Sequence, residues 1–270
     1  MKSIILFRYH NSPEFCKDRL EFIRKLNPEV PIYGLFGGEE DEFEFYHEEL
    51  QQFFNQNYCI KNKSAQWKWQ HSDLAYRMWF KDLGCNIEFD SVIVLEWDLV
   101  FFEPIGKIYE FVQQDQVGLA GLVPLKEIEK KWFWTRNPEQ RKNWLKLLDY
   151  VETQLDYSES PFASLCPGVM LPKRFLEKYS QIEVPELCHD ELRIPLFAQA
   201  LGFELTDLGF FKKWFSKNEW KYFNCNNHNI DQEIIQKELA KTKGRKVFHP
   251  FREEIKTSFP ALFYGEKMVE

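Results

Sequence analysis

Val92-Ile93-Val94-Leu95-Glu96-Trp97-Asp98 is the stretch of this sequence that decides its fold. Four consecutive apolar residues, three of them β-branched, predict a buried strand at Val92–Leu95. Two carboxylates, Glu96 and Asp98, follow directly, where a buried strand would not tolerate them unpaired. Such a pair at a strand end can bind a hard divalent cation, which prefers carboxylate and phosphate oxygens. The alternative is an ordinary turn whose acids are solvated.

Apolar runs and helix caps alternate on both sides of this strand. Strands are predicted at Ser3–Phe7, Pro31–Phe36, Tyr58–Ile60, Val92–Leu95 and Val117–Leu122. Cap signals predict helices that begin after Ser12, after Ser64 (running to about Leu83, closed by Gly84) and after Asn137. This alternation predicts an α/β fold with a mixed, mainly parallel sheet between helices. Ligands of such sheets bind at the carboxyl ends of the strands.

Composition excludes several classes of protein. The net charge of −7 argues against a general nucleic-acid binder, which would show a basic face. No run approaches the roughly 18 apolar residues of a membrane span, and the N-terminus does not read as a signal peptide. Six cysteines without a CxxC pair indicate reduced thiols. We therefore expect a cytoplasmic protein without nucleic-acid partners or a membrane span.

The segment Glu96-Trp97-Asp98 resembles the acidic "DxD" motif of GT-A glycosyltransferases, with Glu96 in place of the first Asp. The resemblance implies one Rossmann-like GT-A domain over residues 1–270, with a nucleotide-binding half at about 1–122 and an acceptor half at about 123–270. It implies a metal-dependent, inverting enzyme that moves a sugar from a nucleoside-diphosphate sugar to a saccharide or another hydroxyl acceptor. Asp98 would ligate Mn²⁺ or Mg²⁺, and Glu96 would contact the ribose or a metal-bound water. Trp97 would lie in the same nucleotide-sugar site.

Two further motifs match catalytic positions of that family. His249 follows a short apolar run near the C-terminus and resembles the late histidine that ligates the metal in many GT-A enzymes. Asp190 and Glu191 come just before a helical run that contains Pro195, where inverting GT-A enzymes place the carboxylate that takes the acceptor's proton. By position Asp190 is the first choice and Glu191 the second. The alternatives are a structural histidine and a plain helix cap with a first-turn acid.

The remaining candidates concern the donor. Gly168 lies in a small-residue segment that resembles the one under the donor sugar, although a tight turn before a strand explains it equally well. Arg8 and Tyr9 end the first strand, where the family holds the nucleobase and ribose. Arg77 matches a position where the family often has a basic nucleotide contact. The segment Trp132-Phe133-Trp134 could stack on an acceptor sugar or anchor a loop in the core.

Other functions were weighed against this one. The sequence has no P-loop, no GxGxxG after the first strand and no GxSxG elbow, which removes the commonest ATPase, dinucleotide and serine-hydrolase interpretations. A sugar nucleotidyltransferase is disfavoured because a glycine-rich, basic signature near the first strand is missing. A non-catalytic carbohydrate- or protein-binding module on a degenerate GT-A fold stays open because of the Glu at position 96.

Overall fold

The computed structural model describes residues 1–226 and 228–264. The strands are β1 (Ser3–Tyr9), β2 (Ile32–Phe36), β3 (Gln56–Cys59), β4 (Ser91–Glu96), β5 (Val100–Phe101), β6 (Gln116–Pro124), β7 (Phe162–Pro172), β8 (Glu204–Asp207) and β9 (Val247–Phe248). The helices of the first half are α1 (Pro13–Leu26), α2 (Phe43–Leu50), α3 (Ala65–Gln70), α4 (Ser72–Asp82), α5 (Ile105–Ile108), α6 (Leu125–Ile128) and α7 (Phe133–Arg136). Those of the second half are α8 (Pro138–Leu155), α9 (Lys173–Gln181), α10 (Asp190–Ala200), α11 (Lys217–Trp220), α12 (Gln232–Leu239), α13 (Ile255–Ser258) and α14 (Pro260–Tyr264). Short 3₁₀ helices lie at Glu40–Glu42, Gln51–Phe53 and Gly84–Asn86.

Seven strands form one sheet in the order β3-β2-β1-β4-β7-β6-β8. Parallel pairing joins β1 to β2 and β4, β2 to β3, and β6 to β8. Strand β7 alone runs in the opposite direction, because it pairs antiparallel with both β4 and β6. The α/β class with a mixed, mainly parallel sheet is therefore confirmed. The strand order reverses between β1 and β4, and open sheets of this kind bind ligands at that point.

Both faces of the sheet are covered. Along β4, Val92 and Val94 pack in one buried cluster with Leu6, whereas Ile93 and Leu95 pack in another on the opposite face. This is the period of two that a strand imposes on its side chains. Burial on both faces explains why the strand reads as an unbroken apolar run.

The three predicted helix caps are all present. Ser12, Ser64 and Asn137 each accept a hydrogen bond from a backbone N–H of the first turn. The single helix predicted from Ser64 to about Leu83 is wrong, since the chain breaks at His71 into α3 and α4. The carbonyl of Lys68, at this break, accepts a hydrogen bond from Arg8 at 2.9 Å. Within the described residues, no helix combines the length and apolar character needed to cross a lipid bilayer.

The small-residue segment around Gly168 is a strand and not a turn. Gly168 lies within β7 with a φ of +81°, a conformation that favours glycine. Its carbonyl accepts a hydrogen bond from the Tyr109 hydroxyl at 2.8 Å, and a Cβ there would meet Phe210 at 3.0 Å. The close approach at this glycine is therefore made by core side chains.

A second sheet, of two strands, joins the segment after Asp98 to the C-terminal part of the chain. Strands β5 and β9 pair antiparallel, with Val100 opposite Phe248. Asp98 precedes β5 and His249 follows β9, so this pairing brings the two side chains together from positions far apart in sequence. The backbone N–H of Phe251 also donates to the carbonyl of Asp98 at 2.8 Å.

Candidate active site

A cavity of about 630 Å³ opens at the carboxyl ends of β1 and β4. Arg8 and Glu96 stand opposite each other in the register of these two strands, and both side chains line the cavity. The cavity therefore lies where the strand order reverses. Parallel pairing explains the location, because it brings the polar ends of neighbouring strands to one edge.

One end of the cavity holds a three-residue cluster, Glu96, Asp98 and His249. Each offers one ligand atom, and these atoms lie within 4.8 Å of one another. The Nε2 atom of His249 is 3.3 Å from Asp98 Oδ1 and 3.8 Å from Glu96 Oε2. Two carboxylate oxygens and one imidazole nitrogen form a donor set that suits a divalent cation such as Mn²⁺ or Mg²⁺.

The hydrogen bonds of His249 fit a metal-binding role. Its Nδ1 atom lies 2.7 Å from the carbonyl oxygen of Asn224, which can only accept. Nδ1 therefore carries the proton, and in the neutral ring Nε2 presents its lone pair towards the carboxylates. A histidine that donates its other N–H to a backbone carbonyl is typical of metal sites.

The pKa values of the two acids of this cluster are shifted in opposite directions. Burial alone would raise the pKa of Asp98, but His249 and Arg252 lower it to about 2. Burial raises the pKa of Glu96, although Arg8 and His249 oppose that effect. Arg252 Nε lies 3.2 Å from Asp98 Oδ2, and Arg8 Nη1 lies 2.8 Å from Glu96 Oε1.

A second pair of acids, Asp190 and Glu191, begins α10. The helix starts at Asp190, as predicted, and His189 is its N-cap. Asp190 is buried and accepts hydrogen bonds from Ser72 Oγ and from His189 Nδ1, the latter at 2.7 Å. Burial would raise its pKa, but the charge and hydrogen bond of His189 hold the pKa well below its ordinary value. Asp190 is therefore held in its ionised form.

Glu191 is the more basic acid of the pair. Its Oε2 atom accepts a hydrogen bond from Trp134 Nε1 at 2.9 Å, and its side chain lines the cavity. Burial raises the pKa of Glu191 to about 7, with the charge of Asp190 adding to the rise and that of His189 opposing it. A carboxyl group with a pKa near neutrality can accept a proton and release it again at physiological pH.

The structure brings most of the predicted site residues to this one cavity. The cavity is lined by Arg8, Glu96, Trp97, Asp98, Asp190, Glu191 and His249. Arg8 faces it as the ion-pair partner of Glu96. Three predicted residues, Tyr9, Arg77 and Gly168, do not line it.

These three residues make other contacts. The hydroxyl of Tyr9, which is buried, donates to Asn57 at 3.0 Å. Arg77 donates to the carbonyls of Tyr179 and Ile182, where α4 packs on the end of α9. No residue of α4 lines the cavity, so Arg77 lies on a helix that contributes nothing to the cavity wall.

Several cavity residues were missed by the sequence reasoning. Arg252 approaches both Asp98 and the ring of Trp97, whose centroid is 5.8 Å from the guanidinium carbon. Trp69 reaches the cavity from α3, and Phe215 reaches it from a loop. Of these residues, only Arg252 could have been predicted from the sequence, because it lies three residues after the candidate metal ligand His249.

The chain resembles three solved glycosyltransferases at low identity. The galactosyltransferase LgtC, solved with donor and acceptor sugar analogs, aligns with 14% identity and a TM-score of 0.36, over 66% of this chain and 60% of its own. S. aureus TarS 1–349 aligns with 12% identity and a TM-score of 0.43, over 76% of this chain and 57% of its own. The bifunctional glycosyltransferase WbbM aligns with 10% identity and a TM-score of 0.42, over 97% of this chain and 49% of its own.

This chain therefore spans between about half and three fifths of the length of those three chains. No protein-family model and no curated protein matches the sequence.

Proposed function

We propose that this chain is a metal-dependent GT-A glycosyltransferase that moves a sugar from a nucleoside-diphosphate sugar to an acceptor hydroxyl with inversion. The observation that carries the proposal is the presence of both acid pairs in one cavity at the reversal of the strand order. One pair, with His249, forms a cation-binding donor set. The other includes a carboxyl group whose pKa is close to neutrality.

The donor end is the cluster of Glu96, Asp98 and His249. These residues would hold Mn²⁺ or Mg²⁺, which when bound supplies positive charge for the diphosphate. Arg252 lies beside Asp98 in the cavity wall and adds a guanidinium that can pair with phosphate oxygens. Arg8 neutralises Glu96 from the opposite side and keeps its carboxylate in place.

The acceptor end is Glu191, which we assign as the general base in place of the first-choice Asp190. Glu191 takes the proton of the acceptor hydroxyl while the hydroxyl oxygen forms a bond to the anomeric carbon. The bond between that carbon and the diphosphate oxygen breaks, and the nucleoside diphosphate leaves with the electron pair. Asp190 is the weaker base because His189 and Ser72 stabilise its ionised form. One displacement from the opposite face inverts the anomeric centre.

The donor assignment predicts which ligands stabilise the protein. Thermal unfolding would be followed with nucleoside diphosphates and their sugars, with and without Mn²⁺, on wild type and Asp98→Asn. A ligand that binds the native state raises the melting temperature. We expect metal-dependent stabilisation by one class of nucleotide in wild type and its loss in Asp98→Asn. Asp207→Asn is the matched control, because Asp207 lies at the end of β8 and does not line the cavity. Absence of any metal-dependent shift in wild type would refute the donor site.

A second candidate is a non-catalytic carbohydrate- or protein-binding module. Its support is that arginines already pair with both acids, Arg8 with Glu96 and Arg252 with Asp98. Hydrolysis of the nucleotide-sugar separates the two candidates, since a binding module gives none. The division into a nucleotide-binding and an acceptor half, and location in the cytoplasm, stay predictions.

A further inference from the structure

Besides the metal cluster, the cavity has an aromatic wall, formed by Trp69, Phe133, Trp134, Trp214 and Phe215. Trp134 stacks on His189 with ring centroids 4.3 Å apart, and Trp69 meets the same imidazole edge-on at 5.3 Å. Trp214 is held by a hydrogen bond from its Nε1 to the carbonyl of Gly121 at 2.8 Å. The indoles of Trp134 and Trp214 are therefore fixed in position by hydrogen bonds and ring contacts.

Much of this wall is open to solvent. Trp69 is 49% exposed, Phe133 is 52% exposed and Phe215 is 41% exposed. A single exposed ring is ordinary, but several gathered around one cavity indicate a surface that a ligand covers. In the Trp132-Phe133-Trp134 segment, Trp132 is buried against Trp214, whereas Phe133 and Trp134 belong to the aromatic wall.

The polar groups among these rings limit what can cover them. Glu191 lies within hydrogen-bond distance of Trp134, and the side chains of Lys131 and Asn226 also line the cavity. A hydrocarbon chain over the wall would cut these groups off from water without giving them partners, which costs free energy. A peptide would bring backbone N–H and C=O groups that need partners of their own, and aromatic rings offer few. A pyranose ring has a C–H face for the indoles and hydroxyls for the polar groups.

We infer that the aromatic wall is a saccharide subsite and that the acceptor of the proposed transfer is a sugar, which stacks on the exposed rings of the wall, Trp69 and Phe215 among them. This inference rests on the proposed function. A sugar on the wall lies next to Glu191, because Trp134 both lines the wall and donates to that carboxylate. One of its hydroxyls then faces the proposed base, with the metal cluster beyond it in the same cavity.

The test measures saccharide binding apart from nucleotide binding. Wild type, Trp69→Ala and Phe215→Ala would be titrated with methyl glycosides of glucose, galactose and N-acetylglucosamine and with lactose, by calorimetry in the presence of Mn²⁺ and a nucleoside diphosphate. We expect wild type to bind at least one of them and both variants to bind it roughly tenfold more weakly, the usual effect of truncating an aromatic anchor. The matched controls are Phe45→Ala and Phe111→Ala, whose rings are 56% and 51% exposed but lie outside the cavity. They should bind as wild type does.

Each alternative outcome has a defined meaning. Equal affinities in Trp69→Ala, Phe215→Ala and wild type would overturn the inference. The inference would also be overturned if no glycoside binds and wild type instead binds a polyprenyl phosphate or a peptide tightly, with that binding lost in Trp69→Ala and Phe215→Ala. Nucleotide-dependent thermal stabilisation, measured on the same samples, reports on the proposed function by itself. If it is absent while glycosides bind in a Trp69-dependent way, the subsite stands and the transfer does not.

Discussion

The two acid pairs of the cavity look alike in sequence but are built differently. In each pair one acid is held ionised, Asp98 in the first and Asp190 in the second, while burial raises the pKa of its neighbour. The first pair is flanked by two guanidinium groups, that of Arg8 from β1 and that of Arg252 from the C-terminal segment. The second pair takes its partners from its own helix start, from Ser72 and from Trp134.

The difference indicates a division of labour. Arg8 and Arg252 favour the ionised forms of Glu96 and Asp98, and carboxylates bind a divalent cation in that form. Glu191 has an apolar indole beside it and no arginine within ion-pair distance among the described residues, so its carboxylate is less stabilised. The first pair suits binding and the second suits proton transfer.

The largest effect expected from this comparison is that of Glu191→Gln. Glutamine keeps an oxygen that can accept the Trp134 hydrogen bond but cannot take a proton at neutral pH. We expect the transfer rate to fall roughly 10²–10⁴-fold, the usual contribution of a general base. Nucleotide-dependent thermal stabilisation should be preserved, because Glu191 is not a residue of the metal cluster.

The matched substitution is Asp190→Asn. Asp190 accepts from Ser72 and His189, so its loss should lower the melting temperature more than Glu191→Gln does. If transfer is intact in Glu191→Gln and abolished in a folded Asp190→Asn, the general base is Asp190 and not Glu191.

The pH dependence of transfer is the next effect in size. A base acts in its ionised form, and Glu191 has a pKa of about 7, so kcat/KM should rise as pH increases through that value. Below it, each pH unit should cost about tenfold, because the ionised fraction falls tenfold. Burial is the largest cause of this raised pKa; the charge of His189 and the Trp134 N–H lower it, and the charges of Asp190 and Glu96 raise it further. An acid limb near pH 4, the ordinary range of a carboxyl group, would contradict the role of Glu191.

Much of the sheet and part of the site were predictable because they depend on local pattern. The apolar run before Glu96 gave β4, and its carboxyl end placed Glu96 and Asp98 at the ligand-binding edge. Strand β8 was not predicted, because Glu204–Asp207 is short, polar and partly exposed at the sheet edge. The break at His71 was missed because Arg8, some 60 residues earlier, takes the carbonyl of Lys68.

The parts of the site that could not be predicted depend on distant contacts. Trp69 enters the cavity from the last turn of α3, and nothing in its sequence neighbourhood marks that position. The order of preference between Asp190 and Glu191 depends on what surrounds each carboxylate, and sequence position does not contain that information. Trp134, which helps to fix the state of Glu191, lies 57 residues away from it.

The smallest effect concerns Arg19, a buried residue that connects the two halves of the metal cluster. Its Nε donates to the carbonyl of Trp97 at 3.2 Å, and its Nη2 donates to the carbonyls of Phe251 and Glu253 at 2.8 and 2.7 Å. It therefore holds the turn between Glu96 and Asp98 against the segment that follows His249. Lysine has no planar fork and cannot make these bonds together.

We expect Arg19→Lys to weaken Mn²⁺-dependent nucleotide binding by roughly tenfold, the lower range for residues that support metal ligands. The matched control is Arg193→Lys. Arg193 is as deeply buried and pairs with Asp73, but it contacts no residue of the metal cluster. Both variants should lose stability, and only Arg19→Lys should change the Mn²⁺ concentration at half-maximal thermal shift. Equal changes in the two variants would mean that Arg19 supports the fold in general. A change in Arg19→Lys alone would show that the Arg19 guanidinium fixes the positions of Glu96 and Asp98 through its hydrogen bonds to the backbone around them.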